Sequence, residues 1–221
     1  MKLEPAEADR FILRNTAIAT PPLVPEIRLH LATEITPIWQ ATEVVLAEIG
    51  VAPPFWAFAW AGGQALARHI LDHPECVAGK SVLDFGAGSG LLSIAARLAG
   101  AATVCAADID PLACAAIRLN ALENRVDVAT TMADVIGTAG TVDTVLVGDM
   151  CYERPLAERL TLWLRALAGE GIEVLLGDPG RTYKPTSGLV EIARYVVPTT
   201  LELEDREQRD GVVWRVLPKA D

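Results

Sequence analysis

Hydrophobic residues fall into two rhythms along this chain. From Lys80 onward, short and nearly unbroken apolar runs alternate with segments whose apolar residues recur every three or four positions. The runs "SVLDF" (81–85), "TVCAAD" (103–108), "VDVAT" (126–130), "VDTVLVGD" (142–149) and "IEVLLGD" (172–178) are rich in β-branched residues. That is the pattern of strands covered on both faces of a parallel sheet. Between them, Leu156, Leu160, Trp163, Leu164 and Leu167 repeat at helical spacing from Pro155 to Ala168, with Pro155 in the first turn and Gly169 just beyond the last. A second helix opens in "PLACAAIRLNALEN" (111–124), and Asp110 immediately ahead of Pro111 reads as its N-cap.

Strand, helix and strand in series predict an α/β, doubly wound sheet with right-handed crossovers. After Gly180 the pattern predicts a helix near Ser187 to Arg194, then the runs "VVPTTLELE" and "VVWRVL" joined by "DREQRDG". Two strands joined by so short a loop run antiparallel. The expected core is therefore a mostly parallel seven-stranded sheet with one antiparallel strand, over residues 80–221. Residues 1–79 are broken by "TPPLVPE" and "APPF" and lack linker composition. They read as an N-terminal extension packed on the core, within a single domain.

Composition narrows the classes. At 221 residues with 51% hydrophobic residues, the chain can bury a sizeable core. Its 29 acidic against 19 basic residues give a formal charge of −10 with no basic block. This argues against nucleic-acid binding and fits a cationic partner or target group. The cysteines Cys76, Cys105, Cys114 and Cys151 show no Cys-x-x-Cys spacing, and three sit in or beside apolar segments. A reducing compartment is the simplest reading. The charged stretch Met1 to Asp9 lacks the apolar core of a signal peptide, and no apolar run reaches membrane-spanning length. A cytoplasmic protein with no membrane partner is expected.

The first strand of the core runs into "DFGAGSG", Asp84 to Gly90. Glycines at alternate positions allow a tight turn and let backbone amides approach a ligand, although an ordinary strand-to-helix turn would use the same residues. A nicotinamide-binding loop places its third glycine three residues after the second; here it comes two after. Asp108 ends the second strand 22 residues beyond Gly86, where a carboxylate can accept both ribose hydroxyls. After the third run, Asp134 and Val135 could border an adenine or form a plain turn. The fourth run ends in "GDMCYE" (148–153), which sets Asp149 and Tyr152 at a strand's carboxyl end.

The glycine loop, the acidic end of the second strand and the strand order with its late hairpin resemble class I S-adenosylmethionine-dependent methyltransferases, over about residues 80–217. The resemblance implies S-adenosylmethionine as cofactor. By it, Asp84 and the backbone at Gly86, Gly88 and Gly90 hold the methionine end, Asp108 the ribose, and Ile109 and Val135 flank the adenine. "PFWAFAWAGGQALARHILDHP" (54–74), "GDMCYE" and "GDPGR" (177–181) further resemble the seven-strand protein lysine methyltransferases, in particular the electron transfer flavoprotein β-subunit lysine methyltransferase family. By that likeness Trp60 borders the cofactor, Asp149 to Tyr152 is an Asp-x-x-Tyr motif beside the target amine, and the partner is a protein substrate. Spacing alone also allows Trp56, Phe58 and Trp60 to form a packed ladder on one face of a strand.

A role follows for each side of the pocket. Asp149 is expected to orient a cationic side chain, Tyr152 and nearby aromatics to desolvate it, and the loop "GDPGRTYKPTSG" to help dock the target. Rival readings are a methyltransferase of a ribosomal protein or small molecule, a nicotinamide-dependent oxidoreductase, which the glycine spacing disfavours, and a non-catalytic scaffold. His69, His73 and Cys76 have the look of a zinc-ligand run, but no second cluster completes it, so solvated helix-end histidines and no metal are expected. Glu202 and Glu204 in "LELED" are expected on the solvated face of a strand.

Overall fold

The computed structural model describes residues 4–32, 53–138 and 141–219. Much of the middle of the N-terminal extension, residues 33–52, lies outside the described residues. The elements, in chain order, are α1 (Pro5–Asn15), β1 (Ala17–Ala19), β2 (Leu29–Leu31), α2 (Ala61–Asp72), β3 (Ser81–Phe85), α3 (Leu91–Leu98), β4 (Thr103–Ala107), α4 (Pro111–Glu123), β5 (Ala129–Thr131), β6 (Thr144–Gly148), α5 (Arg154–Gly169), β7 (Glu173–Asp178), β8 (Leu189–Pro198), α6 (Leu201–Glu204) and β9 (Gln208–Val216).

β3 to β9 form one seven-stranded sheet in the order β5-β4-β3-β6-β7-β9-β8. Pairings are parallel as far as β7, and β9 runs antiparallel to both of its neighbours. The expected mixed sheet is present, with β9 as the antiparallel strand. Winding proceeds outward from β3 through β4 and β5, then restarts at β6 beside β3. The β3–β6 junction is therefore the switch point, outside whose carboxyl ends ligands collect in such sheets.

Period-two alternation sends successive strand residues to opposite faces. On one face Val82, Leu146, Leu175 and Val213 pack with Leu66 and Ile70 of α2 and Ile94 of α3. On the other, Leu83, Phe85, Val145, Val147 and Leu176 pack with Leu160, Trp163, Leu164 and Leu167 of α5. A third cluster joins Ala8 and Ile12 of α1 and the buried Trp56 to Leu112, Ala113 and Ala116 of α4. Among the described residues no helix is long and apolar enough to cross a membrane.

Three local expectations are corrected. Residues 187–194 are not helical: Leu189–Pro198 is edge strand β8, paired along β9 with a bulge between Glu191 and Ala193. Glu191 and Arg194, three apart as on a helix, do form an ion pair (2.7 Å), but pairing to β9 decides the backbone. "LELE" is not a strand: Leu201–Glu204 is one helical turn capped by the Thr200 hydroxyl, which accepts from Leu203 N–H. Phe55–Ala57 is a 3-10 turn, so Trp56 goes into the α1–α4 cluster and no aromatic strand ladder forms.

Candidate active site

At the carboxyl end of β3 the chain turns through Gly86, Gly88 and Gly90 with φ of 64°, 53° and 79°. These are left-handed conformations that a side chain would strain. Gly86 and Ala87 donate their N–H groups to the Ala107 carbonyl (2.9 and 3.2 Å), fixing the loop to the end of β4. Asp84 is fully buried beneath it. Its Oδ2 accepts from Ser93 N–H (2.9 Å) and the Ser93 hydroxyl (2.7 Å) of α3, while Oδ1 is buried without a hydrogen-bond partner among the described residues. Burial raises the Asp84 carboxyl to about 7, against the lowering influence of Ser93.

Asp108 stands at the next strand end. Its Oδ2 accepts from Gly88 N–H (2.9 Å) and its Oδ1 from Asp110 N–H (3.0 Å). Asp110 in turn accepts from Leu112 N–H (2.8 Å) as the N-cap of α4, as its place before Pro111 predicts. Ile109 is exposed beside them. Asp134 is turned to α5: its carboxylate pairs with Arg159 (2.8 Å) and closes a turn by accepting from Ile136 N–H. Val135 packs against the α5-side core.

Across the switch point, Asp149 ends β6 with φ of 59°, an uncommon backbone for a non-glycine residue. Its Oδ2 accepts from Gly63 N–H at the start of α2 (2.7 Å). Its Oδ1 accepts two donors from Arg181, Nε at 3.1 Å and Nη2 at 2.7 Å. Arg181 follows β7, where Asp178 Oδ1 accepts from Gly180 and Arg181 N–H (2.7 and 2.8 Å) and aims the turn inward. The guanidinium lies over the Trp60 ring, 5.4 Å from its centroid, and grips Glu204 Oε1 (2.8 Å) and Oε2 (3.0 Å). Arg209 completes a row of four charges by pairing with Glu204 (3.0 Å). Side-chain exposure is 17% for Arg181 and 1% for Glu204.

Two expectations fall here. Glu204 is not on a solvated face but is the buried anchor of Arg181; Glu202's side chain is outside the described set. Arg181 does not belong to an outer docking surface either. Burial raises the Asp149 carboxyl to about 6, with Arg181 acting in the opposite direction. The neighbouring Cys151 thiol is pushed by burial up to about 12, which leaves it inert as a nucleophile.

Tyr152 faces outward with 44% exposure. Its ring packs on Phe55 (5.4 Å between centroids), and Phe55 packs edge-on to Trp60 (6.0 Å), whose Nε1 donates to the Phe55 carbonyl (2.9 Å). The Tyr152 phenol is raised by desolvation and then by the charges of Glu153 and Asp108. Met150 covers Gly86: a Cβ there would meet its Sδ at 2.4 Å. Met150 therefore joins the glycine loop to the segment that carries Tyr152 and its aromatic neighbours.

The structure brings together Asp84, Gly86, Gly88, Gly90 and Asp108 on one side, and Trp60, Asp149 and Tyr152 on the other. Asp134 sits apart with Arg159. The sequence does not mark Phe55, Gly63 or Glu204 as site residues, and it places Arg181 only in the docking loop. Adjacent glycines in "WAGGQA" are the one available signal, since two glycines in a helix cost about 1 kcal/mol each unless packing requires them. As for the zinc-like run, His69 is buried rather than solvated. It stacks on His73 (4.7 Å between ring centroids) and places Nε2 3.8 Å from Cys76 Sγ.

The family model for ribosomal protein L11 methyltransferase matches residues 66–148. The electron transfer flavoprotein β-subunit lysine methyltransferase of Danio rerio is 39% identical over 96% of this chain and 84% of its own length. The Homo sapiens protein of the same name is 36% identical over 96% and 83%. Among solved structures, magnesium protoporphyrin IX methyltransferase from Synechocystis PCC 6803 with bound SAM superposes with a TM-score of 0.53. At 21% identity it covers 71% of this chain and 80% of the other, a likeness of fold.

Proposed function

The chain belongs to the electron transfer flavoprotein β-subunit lysine methyltransferase family, and from that premise we propose that it transfers a methyl group from S-adenosylmethionine to a lysine of the electron transfer flavoprotein β subunit. The observation that carries the reading is the pairing of two strand ends across the switch point. One bears a glycine loop with Asp108, the other Asp149, whose partner Arg181 lies over Trp60 at the end of a Trp60–Phe55–Tyr152 series of rings.

The residues of the first side suit the cofactor. Asp84 holds a buried carboxylate oxygen without a partner, the chemistry that a cationic amine satisfies. Asp108 holds its carboxylate at the loop's edge for ribose hydroxyls, and the left-handed glycines open backbone next to both. Bound S-adenosylmethionine supplies a methyl group on a sulfonium sulfur, taken by an unprotonated amine as the carbon–sulfur bond breaks, leaving a neutral thioether and releasing the amine's proton to solvent.

The second side must orient that amine and exclude water. Among the described residues Asp149 Oδ2 has one donor, Gly63 N–H, and a carboxylate oxygen accepts two, so an amine N–H can be fixed there while the nitrogen lone pair stays free. Phe55, Trp60 and Tyr152 form the apolar walls. Incubating the purified β subunit with the enzyme and S-adenosylmethionine, followed by peptide mass analysis, should show 14 Da increments on lysine as expected for methyl groups. An unmodified β subunit beside a labelled ribosomal protein or small molecule from a cell extract would overturn the assignment.

A further inference from the structure

A lysine amine has an ordinary pKa of about 10.4, so only about one molecule in 10³ carries a free lone pair at pH 7. An unpaired carboxylate beside it would hold the ammonium form and make the shortage worse. The site nevertheless puts Asp149 where the amine must arrive. Arg181 is the structural answer to this conflict, and the inference rests on the lysine-methylating reading above. We propose that Arg181, anchored by Glu204, is a positioning residue that cancels the charge of Asp149, so that the pocket orients the target amine without stabilising its protonated form.

Charge and geometry support this. Asp149, Glu204, Arg181 and Arg209 form a closed set of two carboxylates and two guanidinium groups, linked by contacts of 2.7–3.0 Å. An incoming lysine meets no uncompensated negative charge in it. The guanidinium also lies over the Trp60 ring, already occupying the face on which an ammonium would gain cation–π attraction. Both forks of Arg181 are fixed, one by each carboxylate, so it cannot swing out without leaving Asp149 and the Glu204 carboxylate short of donors. Other charged groups lie beside the set. Asp178 of β7 accepts from the backbone of its own turn through Oδ1, while its Oδ2 is buried without a partner among the described residues and burial raises its carboxyl. Lys184 lies over Trp214. Asp108 of β4 holds the glycine loop, and Glu153 adjoins Tyr152.

The test is the pH dependence of the single-turnover methyl-transfer rate at saturating β subunit and S-adenosylmethionine, which reads the amine within the complex, taken by brief pH jumps over about pH 6.5 to 11 in the wild type, Arg181→Met and Arg181→Lys. Removing the guanidinium should raise the amine's apparent pKa by about one unit or more. The Met variant is then roughly tenfold or further below wild type from pH 7 to about pH 9.5, where both rates climb in parallel, and closes most of that gap by about pH 11, once the wild-type amine is largely deprotonated. The Lys variant keeps a cation and should keep the wild-type profile shape, whatever its absolute rate. The affinity for S-adenosylhomocysteine, measured by calorimetry, should stay within a few fold in both. A loss by the same factor at every pH would overturn the inference while leaving the methyltransferase reading intact. Wild-type enzyme that methylates no lysine would overturn both. Should Arg181→Met fail to fold, Glu204→Gln leaves one positive charge in excess, and its profile should move to lower pH; no movement, or movement to higher pH, contradicts the proposal.

Discussion

Gly63 donates its backbone N–H to Asp149 Oδ2 across 2.7 Å, joining residues 86 apart in sequence. The first turn of α2 thereby sits on the ends of β6 and β7, and its free N–H group is satisfied by a carboxylate from another element. Such an approach needs backbone without side chains. A Cβ on Gly62 would lie 2.4 Å from the Gly177 carbonyl oxygen and 2.7 Å from Asp149 Oδ2. Gly62→Ala should therefore lower stability by about 1–3 kcal/mol, seen as a melting temperature reduced by roughly 2–4 °C per kcal/mol. A melting temperature equal to wild type would mean that α2 is not seated as described.

Asp84 offers a pH test. Its folded-state value of about 7 lies above the ordinary 3.8, so between those values the folded chain holds a proton that the unfolded chain has released. Its contribution to stability is thus lost as pH rises from about 4 to 7, and is level above. Asp149 and Asp110, both raised to about 6, act with the same sign. Asp84→Asn removes one of these slopes, at on the order of 1.4 kcal/mol per pKa unit. In urea titrations without cofactor, the variant should gain on wild type between pH 5 and pH 8. A difference independent of pH would contradict the buried, partnerless carboxylate.

Tyr152 acts through its ring if its packing on Phe55 is what shapes the pocket. Tyr152→Phe should keep kcat/KM within about fivefold, whereas Tyr152→Ala should reduce it on the order of tenfold to a hundredfold through lost aromatic packing against Phe55. Steady-state methylation of the β subunit decides the matter. Equal damage in both variants would assign the work to the hydroxyl instead.

The legible parts of the fold were those that burial writes into local sequence. β3, β6 and β7 are covered on both faces and show as unbroken apolar runs. Asp110 shows as a cap through Pro111, and the glycine loop and Asp108 through their spacing. Edge strand β8 was misread because one face is solvated and Glu191 and Arg194 stand at helical separation. Glu204 was misread for a related reason: nothing local marks a carboxylate as buried when its partners, Arg181 and Arg209, come from two other segments. The turn at Arg181 is set locally by Asp178 accepting from Gly180 and Arg181 N–H, but the pairing of Arg181 with Asp149, 32 residues away, is visible only once β7 is placed beside β6.

The central claim is a division between a cofactor side held by Asp108 and an acceptor side built on Asp149. Its most direct measurement is calorimetric titration of S-adenosylhomocysteine into Asp149→Asn and Asp108→Asn, read beside single-turnover methyl transfer at saturating cofactor. Asp149→Asn should bind within about threefold of wild type while transfer falls by about two orders of magnitude or more. Asp108→Asn should bind roughly tenfold to a hundredfold more weakly and recover most of its transfer rate once saturated. Equal loss of affinity in both variants would place Asp149 on the cofactor side and contradict the account.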